Sequence, residues 1–136
     1  MSDGLQFSVN VDGPLAVYTQ IENQLMFAIA SGRLTEGEAI PSGRDMSEMV
    51  SVNPNTVNKA YRDLEIMGLL RTRRGVGVMV AAGAKQIALR KTLPMVAEHL
   101  RDAVAECLAC GMKSSDITTA VAKAIKSGVS PYVGAS

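Results

Sequence analysis

Two residues, Ser51 and Val52, are all that separates the apolar positions Met46, Met49 and Val50 of one helical segment from the start signal of the next, Asn53 followed by Pro54. Asparagine caps a helix because its side-chain oxygen accepts from backbone N–H groups that the first turn leaves unpaired. Proline suits the first helical position, where its missing N–H is not needed. A join this short holds two helices at a tight turn, and that restricts the chain to a few helical arrangements.

The neighbouring segments narrow the choice. From Pro14 the positions Tyr18, Ile21, Leu25 and Ala28 recur at three and four residues, with Gly32 as a stop, which predicts a first helix. Ile40, Pro41 and Ser42 lead into a second, with Ser42 as cap, Asp45 at the third helical position, and Met46, Met49 and Val50 as its inner face. The third helix begins at Asn53–Pro54 and ends at Gly68. Past it, LLRTRRGVGVMVA reads as a β-hairpin with a basic, glycine-containing tip. Three helices followed by a hairpin is the order of a winged helix-turn-helix, here over residues 14–82 of a mainly α chain with a small β-hairpin wing.

The third helix has two distinguishable faces. Val57, Ala60, Tyr61 and Leu64 share one side at helical period, while Asn55, Asn58, Lys59 and Arg62 fall on the other. A polar outer face is by itself ordinary for a surface helix. The charge distribution makes it more informative. Up to Ala82 there are seven Lys or Arg against nine acids, so this part is no indiscriminate polycation, yet six of the seven bases lie between Arg44 and Arg74. Arg71, Arg73 and Arg74 crowd a stretch without an acid, leaving a local footprint for a polyanion although the whole chain carries only +1.

At 136 residues the chain accommodates one full domain and an appendage. The appendage, residues 83–128, reads as alanine-rich helix with an apolar stripe of Leu93, Val96, Leu100, Val104, Cys107 and Leu108 ending at Gly111. Pro94 is expected to begin or kink a helix, leaving Lys85 to Thr92 as a short piece before it. Ser114 or Ser115 is expected to cap a last helix with Ile117, Val121 and Ile125, and the residues from Gly128 to fray. About 50 residues cannot cover such a stripe alone, so a second copy of the chain is the expected partner.

Other constellations read blandly. Cys107 and Cys110 have C-x-x-C spacing but lie in the last turns of a helix, where the dipole opposes a thiolate, so they read as small packing residues. His99 lacks the further ligands a zinc site needs. The eight methionines fit core and interface filling. No phosphate loop, nucleophile elbow or catalytic carboxylate pair stands in the sequence, which argues against an enzyme and gives no cofactor or metal. Without a signal peptide or a membrane-length apolar run, the chain is expected in the cytoplasm.

The segments PLAVYTQIENQLMFAIASGRL and IPSGRDMSEMVSVNPNTVNKAYRDLEIMGLLRTRRGVGVMV together resemble the DNA-binding domain of the GntR family of bacterial regulators, over about half of the chain. The short helical remainder and NPNTV are most similar to the YtrA subfamily. The resemblance implies a transcriptional regulator, with repression of a transporter operon as its default role, that contacts double-stranded DNA at three places. These are the P-S-x-R motif with Ser42 and Arg44, the start of the third helix with Asn53, Asn55, Thr56, Asn58 and Lys59, to which Arg62 on the same face is added, and the wing tip with Arg73, Arg74 and Gly75. The chemistry suits these roles: Asn55 and Asn58 carry the amide pair that reads adenine, and Thr56 can meet a phosphate or a thymine methyl. Many relatives carry arginines inside the third helix where this chain has Pro54 and Asn58. Arg44 then becomes the candidate guanine reader, its alternative being a surface ion pair near the cap. The resemblance also implies a homodimer on a palindromic operator, paired through Leu93, Val96, Leu100, Val104 and Leu108. Larger relatives attach a ligand-binding domain. This remainder is too small to enclose a drug-sized pocket in one subunit, and no effector is readable from it. A winged helix serving only as a protein interaction module is the competing reading; acids or apolar residues on the outer face of the third helix would have been its mark.

Overall fold

The computed structural model describes residues 6–129 and divides the chain into two compact units, one ending at Thr92 and the other beginning at Leu93. Its elements are α1 (Val17–Ala30), β1 (Ala39–Ile40), α2 (Gly43–Val50), α3 (Pro54–Ile66), β2 (Leu70–Arg73), β3 (Gly77–Val80), α4 (Ala84–Ala109) and α5 (Ser114–Ser127).

In the first unit α1, α2 and α3 bury their apolar faces on one another, with Ile21, Leu25, Ile29, Met46, Val57 and Leu64 all but inaccessible to solvent. Leu69 and Val80 close the core from the sheet side, and Ala84 and Ala88 from the first turns of α4. The small side chains at 84 and 88 let that helix lie close to the core. Thr92 is also buried, its hydroxyl donating to the Ala88 carbonyl at 2.8 Å, so this packing continues past residue 82.

The α2–α3 turn is as tight as its two-residue join requires. Ser51 takes the left-handed conformation (φ 57°), unusual for a residue with a Cβ, and the Val52 N–H donates to the Ser47 carbonyl at 3.1 Å. The expected caps form: Ser42 Oγ accepts from the Asp45 N–H at 3.0 Å and Asn53 Oδ1 from the Asn55 N–H at 2.7 Å. One inner-face assignment changes. Met49 is half exposed and Ser47 is buried instead, because in a helix of eight residues Met46 and Val50 define the inward stripe. The Ser47 hydroxyl is satisfied by donating to the Arg44 carbonyl at 2.6 Å.

The expected hairpin gains a third strand, giving an antiparallel sheet in the order β1-β3-β2. Its register pairs Leu70 with Val80, Thr72 with Val78 and Arg73 with Gly77, while β1 adds Ala39 opposite Met79 and Ile40 opposite Val78. Residues 6–16 run against α1, held by two of its glutamines. The Gln20 amide donates to the Asn10 and Leu15 carbonyls and its oxygen accepts from the Asn10 N–H; Gln24 does the same at Ser8.

Pro94 does not begin a helix, and residues 85–92 are not a separate piece before it: α4 is a single element of 26 residues with the proline inside it. Proline removes the N–H that would bond the Arg90 carbonyl, but Arg90 and Pro94 are both exposed, so water can satisfy that group. Among the described residues of the second unit none is buried. Leu93, Leu100 and Leu108 are each more than half exposed on α4, Val96 and Val104 are half covered, and Ile125 on α5 is 76% exposed. The cap of α5 differs from expectation: neither serine supplies it. Lys113 stands at the cap position and its N–H donates to Asp116 Oδ2 at 3.1 Å. The fraying expected after Gly128 falls, from residue 130 onward, outside the described residues. No helix of the described residues is long and apolar enough to cross a membrane.

Candidate nucleic-acid interface

The start of α2, the outer face of α3 and the sheet meet around one open groove of about 500 Å³, lined by Gly43, Asn55, Asn58, Tyr61, Arg62, Glu65, Thr72 and Val78. Each wall is held by specific chemistry. The Tyr61 hydroxyl donates to the Pro41 carbonyl at 2.6 Å, tying the middle of α3 to the strand–helix junction that carries Ser42 and Arg44. Burial, then the nearby Asp45 carboxylate, raises the Tyr61 phenol well above its ordinary pKa, so it stays a donor. Gly43 leaves room for a close approach: a Cβ there would strike Asn58 Oδ1, and the exposed Asn58 side chain would have to turn away. A glycine in the first turn of α2 therefore lets the Asn58 side chain lie against the start of that helix.

The expected DNA-facing residues fall into three groups. Asn55, Asn58 and Arg62 line the groove. Arg44 projects from α2 with its side chain 87% exposed, and the acid beside it, Glu48 at 3.8 Å, forms an open i,i+4 pair worth little in water. Ser42 and Asn53 spend their oxygens on the two caps, which leaves the Ser42 O–H and the Asn53 NH2 as donors. Thr56 is half-buried. Arg73, Arg74 and Gly75 form the exposed wing tip, where Gly75 (φ +80°) and Gly77 (φ +125°) make the turn that the Val76 N–H closes on the Arg73 carbonyl at 2.9 Å. Arg71, two residues before Arg73 on the same strand, is also exposed.

Lys59 is placed differently from the rest. Its ammonium lies 3.3 Å from Asp63 Oδ2 and 4.3 Å from the centre of the Tyr18 ring, on the side of α3 that meets α1. Behind it, Glu22 of α1 is buried with Oε2 unpartnered. Burial, then a hydrogen bond to Asp63 and that residue's charge, push the Glu22 carboxyl up to about 7, against the opposing pull of Lys59. The hydrogen bond from Glu22, together with Lys59, holds Asp63 below the usual carboxylate range. Sequence periodicity gave no sign of this cluster, since Glu22 stands beside Ile21 on a helix that buries more than one face.

Cys107 and Cys110 are free thiols, the second donating to the Cys107 carbonyl at 3.3 Å, and no group of His, Cys, Asp or Glu able to hold a metal occurs among the described residues.

A helix-turn-helix with a basic β wing is the architecture of the first unit, and comparison with known proteins gives it a family. The family described as bacterial regulatory proteins, gntR family, matches residues 17–80, from the first residue of α1 to the last of β3. The HTH-type transcriptional repressor YtrA of Bacillus subtilis (strain 168) is 31% identical over 97 residues, covering 71% of this chain and 75% of that protein. A crystal structure of a transcriptional antiterminator from Listeria monocytogenes EGD-e matches with a TM-score of 0.69 at 26% identity, over 98% of this chain and 100% of that one. The DNA-binding domain of AraR, crystallised in complex with operator ORX1, matches with a TM-score of 0.50 at 28% identity, over 57% of this chain and 99% of that one. The chain belongs to the GntR family. It is a transcriptional regulator of the helix-turn-helix type, not an enzyme.

Proposed function

We propose that this regulator is a homodimeric repressor that binds a palindromic DNA operator, with residues 14–82 reading the duplex and residues 83–128 pairing two chains. The observation that carries the reading is that Asn55, Asn58 and Arg62 line one groove, with Gly43, the residue before exposed Arg44, on its rim and Thr72 of the basic wing strand on its other wall. α3 enters the major groove, where the Asn55 and Asn58 amides face base edges and Arg44 pairs with a guanine; the wing lies along the neighbouring backbone. Arg62, Arg73 and Arg74 engage phosphates, and Ser42 and Thr56 add hydroxyl donors. AraR's operator complex supports DNA binding by this fold, and the name of YtrA supports repression.

Pairing rests on the second unit, whose stripe of Leu93, Val96, Leu100, Val104 and Leu108 is left largely exposed by the described residues. A second copy is the natural cover, since two-fold pairing also presents two α3 helices to two half-sites. Fluorescence anisotropy of a labelled duplex across a salt series tests the reading. Binding that weakens linearly in log affinity against log salt is the expected result; no binding at low salt overturns it.

A further inference from the structure

We infer that the hydrogen bond between Thr72 of β2 and Glu65 of α3 is a strut that positions the wing for DNA, an inference that rests on the DNA-binding reading above. The bond is short, 2.7 Å from Thr72 Oγ1 to Glu65 Oε2, with a hydroxyl donating to a carboxylate, and it links elements that carry two separate parts of the interface.

Its place in the sheet gives it leverage. The third strand supports β3 only as far as Ile40 opposite Val78; beyond that rung the wing is a two-stranded ribbon with the single further pair Arg73–Gly77. A two-stranded ribbon is marginal in water without something to pack on. At the tip, an added Cβ at Gly75 or Gly77 would meet nothing within 4 Å, so the tip stands clear of the rest of the unit. Thr72 is opposite Val78, at the last supported rung, and its side chain bonds to α3 while Arg71 and Arg73 alternate to the other face of the strand. The strut therefore fixes the height of Arg73 and Arg74 relative to Asn55, Asn58 and Arg62, and both of its ends line the groove. Glu65 also gains a task that explains an acid in a groove meant for phosphate: its carboxylate is engaged by the wing. Thr72 and Glu65 are thus positioning residues, acting through the arginines they place.

The test uses the full chain and four proteins: wild type, Thr72→Val, Thr72→Ser and Glu65→Gln. Valine keeps the shape and the strand preference of threonine but cannot donate; serine still donates, and the glutamine carbonyl still accepts. Backbone amide relaxation by NMR, without DNA, should show lower order at residues 73–77 in Thr72→Val alone, with the thermal midpoint close to wild type because the bond is exposed. Affinity for a mixed-sequence duplex of about 30 base pairs should fall roughly three- to fivefold in Thr72→Val, as expected on removing one exposed charge-assisted bond that pre-orders two arginines. Thr72→Ser should keep wild-type affinity. Unchanged wing order in Thr72→Val, or an equal fall in all three variants, overturns the strut. Failure of wild type itself to bind the duplex overturns instead the DNA-binding reading on which its purpose rests.

Discussion

Replacing Glu22 by glutamine should change how the stability of this protein depends on pH. Glu22 is buried between α1 and α3 beside Asp63, and burial first, Asp63 second, push its carboxyl from 4.5 up to about 7. Below about pH 7 the Glu22 carboxyl keeps its proton beside Asp63, whose own affinity for protons is lowered. The folded chain then binds more protons at this site than the unfolded chain. Its contribution to stability is fully present below pH 4.5, falls as pH rises, and is lost once pH passes about 7. At about 1.36 kcal/mol per pH unit the interval sets a ceiling of about 3.4 kcal/mol, which solvent screening at the open Asp63 end reduces to roughly 1–2 kcal/mol. Glutamine has the same shape and its amide donates to Asp63 without a proton to lose. Glu22→Gln should therefore match wild type at pH 5 and exceed it by that amount at pH 7.5. Urea unfolding followed by circular dichroism, at equal protein concentration and both pH values, measures the difference. Curves that stay parallel between wild type and variant across this range would refute the retained-proton argument.

Four further variants test DNA binding and chain pairing. Arg44→Ala should cost about 1–3 kcal/mol on a preferred operator and relax discrimination at one position per half-site, and Arg44→Lys should lose the same discrimination because it lacks the planar fork; titrations against single-base variants at fixed salt check both. Arg73→Ala with Arg74→Ala should weaken binding to all duplexes and shallow the salt dependence by roughly one log-log unit for each phosphate no longer neutralised, read from anisotropy across a salt series. Leu100→Glu with Val104→Glu should give monomers by light scattering and sharply weaker operator binding, since each half-site is then engaged without the other.

The elements that position the site were legible because each announces itself locally. Asn53–Pro54 and Ser42 are caps, the Val57–Leu64 spacing is helical, and two β-rich runs around Gly75 make a hairpin. What joins them was not legible, since it depends on partners distant in sequence. β1 is two residues long and exists only because β3 is there to pair with it. Gly43 reads as a poor helix residue until Asn58 is seen against it, and Tyr61 as one more core aromatic until its hydroxyl finds Pro41, 20 residues away. Gln20 and Glu22 defeated periodicity in the same way: both are polar and buried on α1, Gln20 bonded to the N-terminal segment and Glu22 set against Asp63 and Lys59 of α3 with its Oε2 unpartnered. Lys59 belongs by spacing to the outer face of α3, yet Tyr18 and Asp63 draw its ammonium toward α1. Pro94 does not begin a helix, since α4 runs through it from Ala84 to Ala109.

The most direct test of the central claim is selection of duplexes from a random-sequence pool by the 136-residue chain at near-physiological salt. A pair of side-by-side reading heads predicts enrichment of an inverted repeat with half-sites about 10 base pairs apart, or a multiple of that, and with a guanine in each half-site that Arg44→Ala no longer requires. Recovery of sequences without any shared element, or retention of the full preference by Arg44→Ala, would contradict it.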